Sequence, residues 1–269
     1  MIRGKVIKAA VIAAAAAVCA TAADAADPLV KSEDFPGKFT GTATFTNEYY
    51  FRGLSQTDDA VAVQASLDYS VDLAKGMAAA GDVSAYLGIW GSNVDFNEGT
   101  YASGLTKDGA TLEVDIYGGI KGSFGSTGIG WDLGFIYYWY PGADADLNYD
   151  YVEGKVALSY DFGFLSATAS YNYSPDFFGA EGGGSGTGHY PKFAINVPVM
   201  GKVDLGAYVA RQWVEKNAIF GSPDYTEWNL SAKINVVGFD VSVAYSDTNI
   251  PGNVDGKGEA ILFAVGKTF

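Results

Sequence analysis

The sequence predicts an all-β fold: a single transmembrane, antiparallel, up-and-down β-barrel of about twelve strands. Three observations carry this. Apolar and polar residues alternate along about twelve segments, the mark of strands with two unlike faces. Short connections alternate with long ones along the chain, as in barrels that cross a membrane. Aromatic residues collect at both ends of the segments, at the height where membrane interfaces hold them.

The opening segment, 39–51, sets the pattern. Phe39, Gly41, Ala43, Phe45, Asn47, Tyr49 and Phe51 alternate with Thr40, Thr42, Thr44, Thr46, Glu48, Tyr50 and Arg52. It is read as one strand, with Phe45 and Phe51 toward lipid and the threonines toward the interior. Its length suits a tilted membrane-crossing strand of about 9–11 residues plus its ends.

The following segments repeat it. Val61, Val63, Ala65, Leu67 and Tyr69 oppose Gln64, Ser66 and Asp68; Val83, Ala85, Leu87 and Ile89 oppose Asp82, Ser84 and Tyr86. Leu112, Val114 and Ile116 oppose Glu113, Asp115 and Tyr117; Trp131, Leu133, Phe135 and Tyr137 oppose Asp132 and Gly134. Val152, Val156, Leu158 and Tyr160 oppose Glu153, Lys155 and Ser159, and Ala167, Ala169, Tyr171 and Tyr173 oppose Thr168, Ser170 and Asn172. Phe193, Ile195 and Val197 follow, with Pro191 and Pro198 as the expected strand limits. Rows starting at Val203, Trp228, Phe239 and Ile261 complete the set, the last ending on Phe269.

Short turns are expected at 74–76, 123–128, 161–163, 200–202 and 237–238. Longer loops are expected at 54–60, 93–109, 142–148, 175–188, 214–223 and 247–258. With an even strand number both ends of the barrel fall on the short-turn side. Tyr49, Phe51, Tyr137, Trp139, Tyr171, Tyr173, Trp213, Trp228 and Tyr245 then form one aromatic girdle, and Tyr69, Tyr160, Phe239 and Phe269 the other. A soluble β-sandwich or lipocalin-like barrel also alternates, but it turns its apolar face inward and shortens or charges its edges. Twelve long hairpin-linked strands with paired aromatic ends do not suit it.

The 269 residues are 48% hydrophobic and 18% charged, which is not a disordered composition. No run of about 18 apolar residues occurs, so no transmembrane helix is expected. Arg3, Lys5 and Lys8 precede an Ala/Val stretch and small-residue cleavage motifs, which reads as a signal peptide over 1–23. Residues 24–38, polar and holding two prolines, read as a periplasmic linker, and 39–269 as the barrel. The one cysteine, Cys19, lies in the signal, so no disulfide framework is expected. A formal charge of −14 argues against nucleic acid, whose binding requires Lys and Arg on phosphates.

YYFRGLSQT (49–57), WGSNVD (90–95), LEVDIYGG (112–119), YYWYPG (137–142) and YSPDFFG (173–179) together resemble the TorF-type porin family, long catalogued as conserved hypothetical proteins. The similarity spans about 39–269 and implies a bacterial outer-membrane β-barrel. The loops 93–109 and 175–188 look expanded and glycine-rich, so no solute preference follows from the resemblance.

Inside a barrel the polar faces line the lumen, because charge is costly toward lipid. Glu48, Arg52, Glu113, Asp115, Asp132 and Glu153 are the expected pore-lining or constriction residues. Asp68, Asp82, Lys121, Lys155, Lys192, Asp204, Lys233 and Asp240 are expected inside as well. Because Glu48, Glu113 and Asp115 outnumber Arg52, a passive channel preferring cations or neutral solutes is the first reading. The second is a salt-bridge network in which Arg52 pairs with Glu48, Glu113 or Asp115 and fills the lumen. Twelve strands lie between the eight that leave little lumen and the sixteen that leave a channel.

Two motifs weigh against other chemistry. Asp144, Asp146, Asn148 and Asp150 space their oxygens like a calcium loop, but Tyr149 and Lys155 replace the required Gly and Glu, leaving an acidic surface loop. His189 is the only histidine, no G-x-S-x-G elbow occurs, and His189 reads as a loop-edge residue, which leaves a lipid hydrolase poorly supported. The glycines of 182–188 read as a mobile outer loop able to fold into the pore mouth. No enzyme and no cofactor is expected. Expected partners are outer-membrane lipids, small hydrophilic solutes and, through the strand ending at Phe269, the barrel-assembly machinery.

Overall fold

The structure is a computed structural model that describes residues 36–77, 81–96, 99–100, 106–125, 127–180, 183–251 and 258–269. The expected signal peptide and most of the expected linker lie outside the described residues.

Among the described residues, sixteen strands occur in chain order: β1 (Lys38–Thr46), β2 (Tyr50–Phe51), β3 (Leu54–Ser55), β4 (Ala62–Met77), β5 (Gly81–Asn93), β6 (Gly99–Thr100), β7 (Thr106–Lys107), β8 (Leu112–Ser123), β9 (Ile129–Trp139), β10 (Tyr151–Asp161), β11 (Ser166–Ser174), β12 (Gly188–Val199), β13 (Val203–Val214), β14 (Tyr225–Val236), β15 (Phe239–Thr248) and β16 (Ala260–Thr268). Twelve of them close into one antiparallel barrel, β1 lying between β16 and β4. The pairs β2–β3 and β6–β7 are small hairpins outside the wall. A single helical turn, α1 (Asn217–Phe220), sits in the β13–β14 connection. Closing the wall leaves no unpaired strand edge, which a sheet in a bilayer requires.

The faces divide as the alternation predicts. Val63, Leu67, Leu87, Leu133, Phe135, Leu158, Phe193, Leu230 and Phe263 point outward and are exposed. Gln64, Ser92, Glu113, Asp132, Glu153, Asn229 and Ser246 point inward and are buried. This inverts a water-soluble fold, where the apolar face is the covered one, and suits a hydrocarbon surround. Tyr137, Trp139, Tyr171, Tyr173 and Trp213 are exposed near the long loops, and Tyr160, Phe239 and Phe269 near the short turns.

Several boundaries differ from the sequence reading. β4 continues through the expected turn at 74–76 to Met77, with register shifts after Asp72 and Ala74 that absorb the extra length. Pro191 and Pro198 lie within β12 instead of bounding it. Pro191 pairs with Tyr171 of β11, while the β12–β13 register steps from His189 to Lys192, so the missing N–H falls where that ladder is interrupted.

The largest correction concerns the opening segment. β1 ends at Thr46, and the chain leaves the wall before Tyr49 and Phe51. Tyr49 is buried and its ring meets Trp90 at 5.4 Å, while Phe51 packs on the inward-facing Tyr138 at 5.7 Å. Neither is a girdle residue and Phe51 does not face lipid. The reason is the turn at Arg52 (φ 51°) and Gly53 (φ 75°), which folds β2 back on β3. Two successive positive φ angles are the geometry of a tight hairpin turn.

The apolar core is also local. Tyr49, Val94, Tyr117, Ile136, Tyr138, Tyr140, Tyr151, Phe177 and Val214 cluster together, with Phe51, Trp90, Phe96, Phe178 and Phe220 against them. Most of these residues belong to loops or to strand ends on the long-loop side. The barrel is therefore capped at that mouth by aromatic packing.

Candidate functional site

The β2–β3 hairpin hangs from the end of β1 and reaches inward to the wall at many points. Its Arg52 is 7% exposed. Nη2 of Arg52 donates to Oε2 of Glu153 on β10 at 2.6 Å, and Nη1 donates to Oε1 of Gln212 on β13 at 2.8 Å. The guanidinium lies 4.0 Å from the Tyr190 ring centre on β12 and 5.6 Å from that of Phe177. The Tyr225 hydroxyl on β14 donates to the Arg52 carbonyl at 2.8 Å. Tyr49, on the other side, donates to Oε1 of Glu113 on β8 at 3.4 Å. One hairpin thus touches β8, β9, β10, β12, β13 and β14.

Glu153 accepts more than one donor. The Asn172 amide donates to the same Oε2 at 2.9 Å and the Tyr138 hydroxyl at 3.4 Å. Multiple donors on a buried carboxylate offset the desolvation that a lone ion pair would not repay. Glu227 on β14 accepts from the hydroxyls of Tyr190 and Tyr208, and the positive charges of Lys192 and Arg52 act on it.

A second layer lies further from the long loops. Asp132 accepts from Lys155 Nζ at 3.3 Å and from the Tyr86 hydroxyl at 2.8 Å. Lys121 sits over the Tyr86 ring, and Asp68 accepts from the Tyr117 hydroxyl. Toward the short turns Lys233 and Asp240 approach to 3.8 Å.

Of the six residues expected at a constriction, the structure gathers Arg52, Glu153, Glu113 and Asp115 at one level. Asp132 belongs to the layer below. Glu48 stands apart: its carboxylate accepts the Asp59 N–H at 3.3 Å, and burial beside Asp59 raises its pKa. The expected pairing of Arg52 with Glu48, Glu113 or Asp115 is therefore replaced by pairing with Glu153. The cause is the hairpin turn, which carries Arg52 off the β1 line and across the lumen. Asp82 sits exposed at the short-turn rim and accepts the Gly76 N–H.

Sequence reasoning missed Glu227, Gln212, Tyr138, Tyr190 and Tyr225. The alternation carried a signal for them: steps of two from Lys192, Gly134 and Asn229 reach Tyr190, Tyr138 and Tyr225 on the inward face. Extending the rows backward from Asn229 and forward from Tyr208 in steps of two reaches Glu227 and Gln212 on the inward face.

The remaining motifs lie toward the long-loop end of the barrel. The 183–188 stretch is tied into the mouth: Ser185 is buried, Phe177 N–H donates to the Gly186 carbonyl at 2.7 Å, and Lys216 N–H donates to the Ser185 carbonyl at 2.9 Å. Its neighbour Glu215 accepts from the Thr187 N–H and hydroxyl, which hold its pKa below the usual carboxylate value. His189 is the second residue of β12, at the loop edge as expected but on the outward face, paired with Tyr173 and Trp213 and bonded through Nδ1 to the Tyr171 hydroxyl at 2.6 Å. Its surroundings on that face are aromatic. Asp150 accepts the Tyr140 N–H and the Tyr137 hydroxyl, and Asp144 the Asp108 N–H, so both serve the loop fold.

A family model described as "Bacterial protein of unknown function (Gcw_chp)" matches residues 31–269. Among curated proteins none matches the sequence. Solved structures that resemble the chain include one titled "KdgM porin", with 8% identity, TM-score 0.49, and coverage of 86% of this chain and 98% of that one. A NanC porin gives 10% identity, TM-score 0.49, and 86% and 98% coverage. An outer membrane channel from Pseudomonas putida F1 gives 10% identity, TM-score 0.49, and 89% and 100% coverage.

Proposed function

The chain belongs to the Gcw_chp family, and we propose that it is an outer-membrane channel for small hydrophilic solutes, plugged from within by its own β2–β3 hairpin. The observation that carries this reading is the origin of what fills the lumen. At the level of Arg52 the lumen is occupied by a loop segment, held by the Arg52 guanidinium together with contacts of Tyr49, Phe51 and the Arg52 carbonyl, and not by side chains of the wall alone. Below it the wall is lined by charged and hydroxyl groups, including Asp68, Lys121, Asp132, Lys155 and Lys192. A wall built only for mechanical strength has no need of ionised side chains facing inward, each of which costs desolvation. Width and charge are then the mechanism, as in other pores lined by ionised rings.

Export through a cleaved signal over 1–23, a periplasmic linker over 24–38, kinship with TorF-type porins, and assembly through the strand ending at Phe269 belong to the same reading. They rest on the sequence patterns. The solute is a small hydrophilic one, and the surplus of carboxylates over cations around Arg52 favours cations or neutral molecules. No enzymatic role is proposed.

The second reading is a closed barrel serving adhesion or membrane integrity. The aromatic cap around Tyr49, Phe177 and Phe178 favours it. Single-channel recording of the refolded protein in planar bilayers separates the two. Discrete steps support the channel. Silence across several salts, in the native chain and in a variant whose hairpin is displaced, supports the closed barrel.

A further inference from the structure

We infer that Glu113 and Asp115 form a binding site for a hard, partly dehydrated cation in the lumen wall. The two residues are neighbours on the inward face of β8, and each is 1% exposed. Oε1 of Glu113 receives the Tyr49 hydroxyl. Oε2 of Glu113 and both carboxylate oxygens of Asp115 are buried without a hydrogen bond of ordinary geometry among the described residues, although the Tyr140 hydroxyl and the two carboxyls themselves lie close to one another. Unsatisfied buried acceptors are rare, and an unpaired buried carboxylate is among the costliest groups a fold can hold.

The nearby cations are committed elsewhere. Arg52 is engaged by Glu153 and Gln212, and Lys155 by Asp132. Lys192 faces Glu227. The wall residues in register beside the pair bring no positive charge: Ser92 opposite Glu113, and Trp90 and Tyr138 opposite Asp115. The Ser92 hydroxyl already donates to the Asn93 carbonyl.

A proton shared between the two carboxyls would satisfy two of the three free oxygens and cancel one charge. One Asp115 oxygen and one negative charge would be left over. A divalent cation bound between the carboxylates engages all three oxygens and balances both charges. Carboxylate and phenol oxygens are hard donors, suited to a divalent calcium-like cation and not to soft metals. Among the described residues no third carboxylate, histidine or cysteine completes a metal group. A cation held by two carboxylates therefore keeps water on its remaining positions and exchanges readily. Such a site holds its ion whether or not the lumen conducts.

Terbium(III) tests this, because Tyr49, Trp90 and Tyr138 flank the pair and sensitise its emission. The refolded full barrel in detergent should show saturable terbium emission under aromatic excitation, displaced by calcium chloride and lost in Asp115→Asn and Glu113→Gln. Absent emission, or emission unchanged in both variants, overturns the site. Urea unfolding gives a readout on the native chain alone: calcium chloride should raise its midpoint. A midpoint indifferent to calcium, together with stabilisation by Asp115→Asn, would mean a shared proton and would also overturn it.

Discussion

Arg52 and Glu153 meet at 2.6 Å although one lies on a loop hairpin and the other on the barrel wall. That contact fastens the hairpin inside the lumen. Because both groups are buried, removing one leaves the other charged and unpaired. Glu153→Ala or Arg52→Ala is expected to cost about 3–5 kcal/mol, read as a lowered urea midpoint. The double variant should cost less than the sum of the singles, since it leaves no orphan charge.

Gly53 turns the hairpin at φ 75°, and a Cβ there would lie 2.4 Å from Cγ2 of Thr248. Gly53→Val is therefore expected to lift the hairpin from its seat while leaving the wall intact. In planar bilayers its unit conductance or open time should exceed that of the native chain. Equal currents would mean that the hairpin does not limit passage.

Neutralising Glu113 and Asp115 together is expected to move the reversal potential in a salt gradient toward anions. Glu48→Gln should move it much less, because Glu48 is tied to the Asp59 N–H away from Arg52. An unchanged potential in the Glu113/Asp115 variant removes these residues from the ion path.

The outward face should refuse charge. Leu230 lies exposed near the middle of β14. Leu230→Arg is expected to weaken insertion into lipid vesicles by about 2–4 kcal/mol, the cost of such a charge at the bilayer midplane. Equilibrium folding into vesicles at graded urea measures it.

The Thr187–Glu215 tie should depend on pH. The carboxyl titrates lower in the fold than when unfolded, so the tie is fully present above its unfolded pKa and is lost as pH falls through the folded value. Amide exchange at Thr187, corrected for its intrinsic pH dependence, should lose protection on acidification in the native chain but not change in Glu215→Gln.

The wall was legible because two-residue alternation reports directly which face each side chain takes, and nothing tertiary competes with it. Phe193, Leu133 and Val63 could be placed outward from the sequence alone. The hairpin was hidden by the same rule: Tyr49 and Phe51 resume the row of Phe45 with only Asn47 between them. Only the backbone at Arg52 and Gly53 reveals the reversal, and Arg52 carries no sequence mark of a positive φ. The partner of Arg52 was illegible for a related reason. Glu153 lies about a hundred residues away, and only barrel closure brings the two strands' faces together.

The seam where β1 meets β16 has a further consequence. It registers five residue pairs, Thr42 to Thr46 against Thr268 to Ala264, whereas β1 and β4 register nine. Beyond Thr46 the join is continued by Asn47, whose backbone and side chain bond to Phe263 and whose amide reaches the Ile261 carbonyl. The hairpin begins three residues later, at Tyr50. Plug and seam therefore share a clasp, and a pull on the hairpin is transmitted first to the shortest ladder in the wall. Unzipping under mechanical load should start there, at Asn47, before any other strand pair parts.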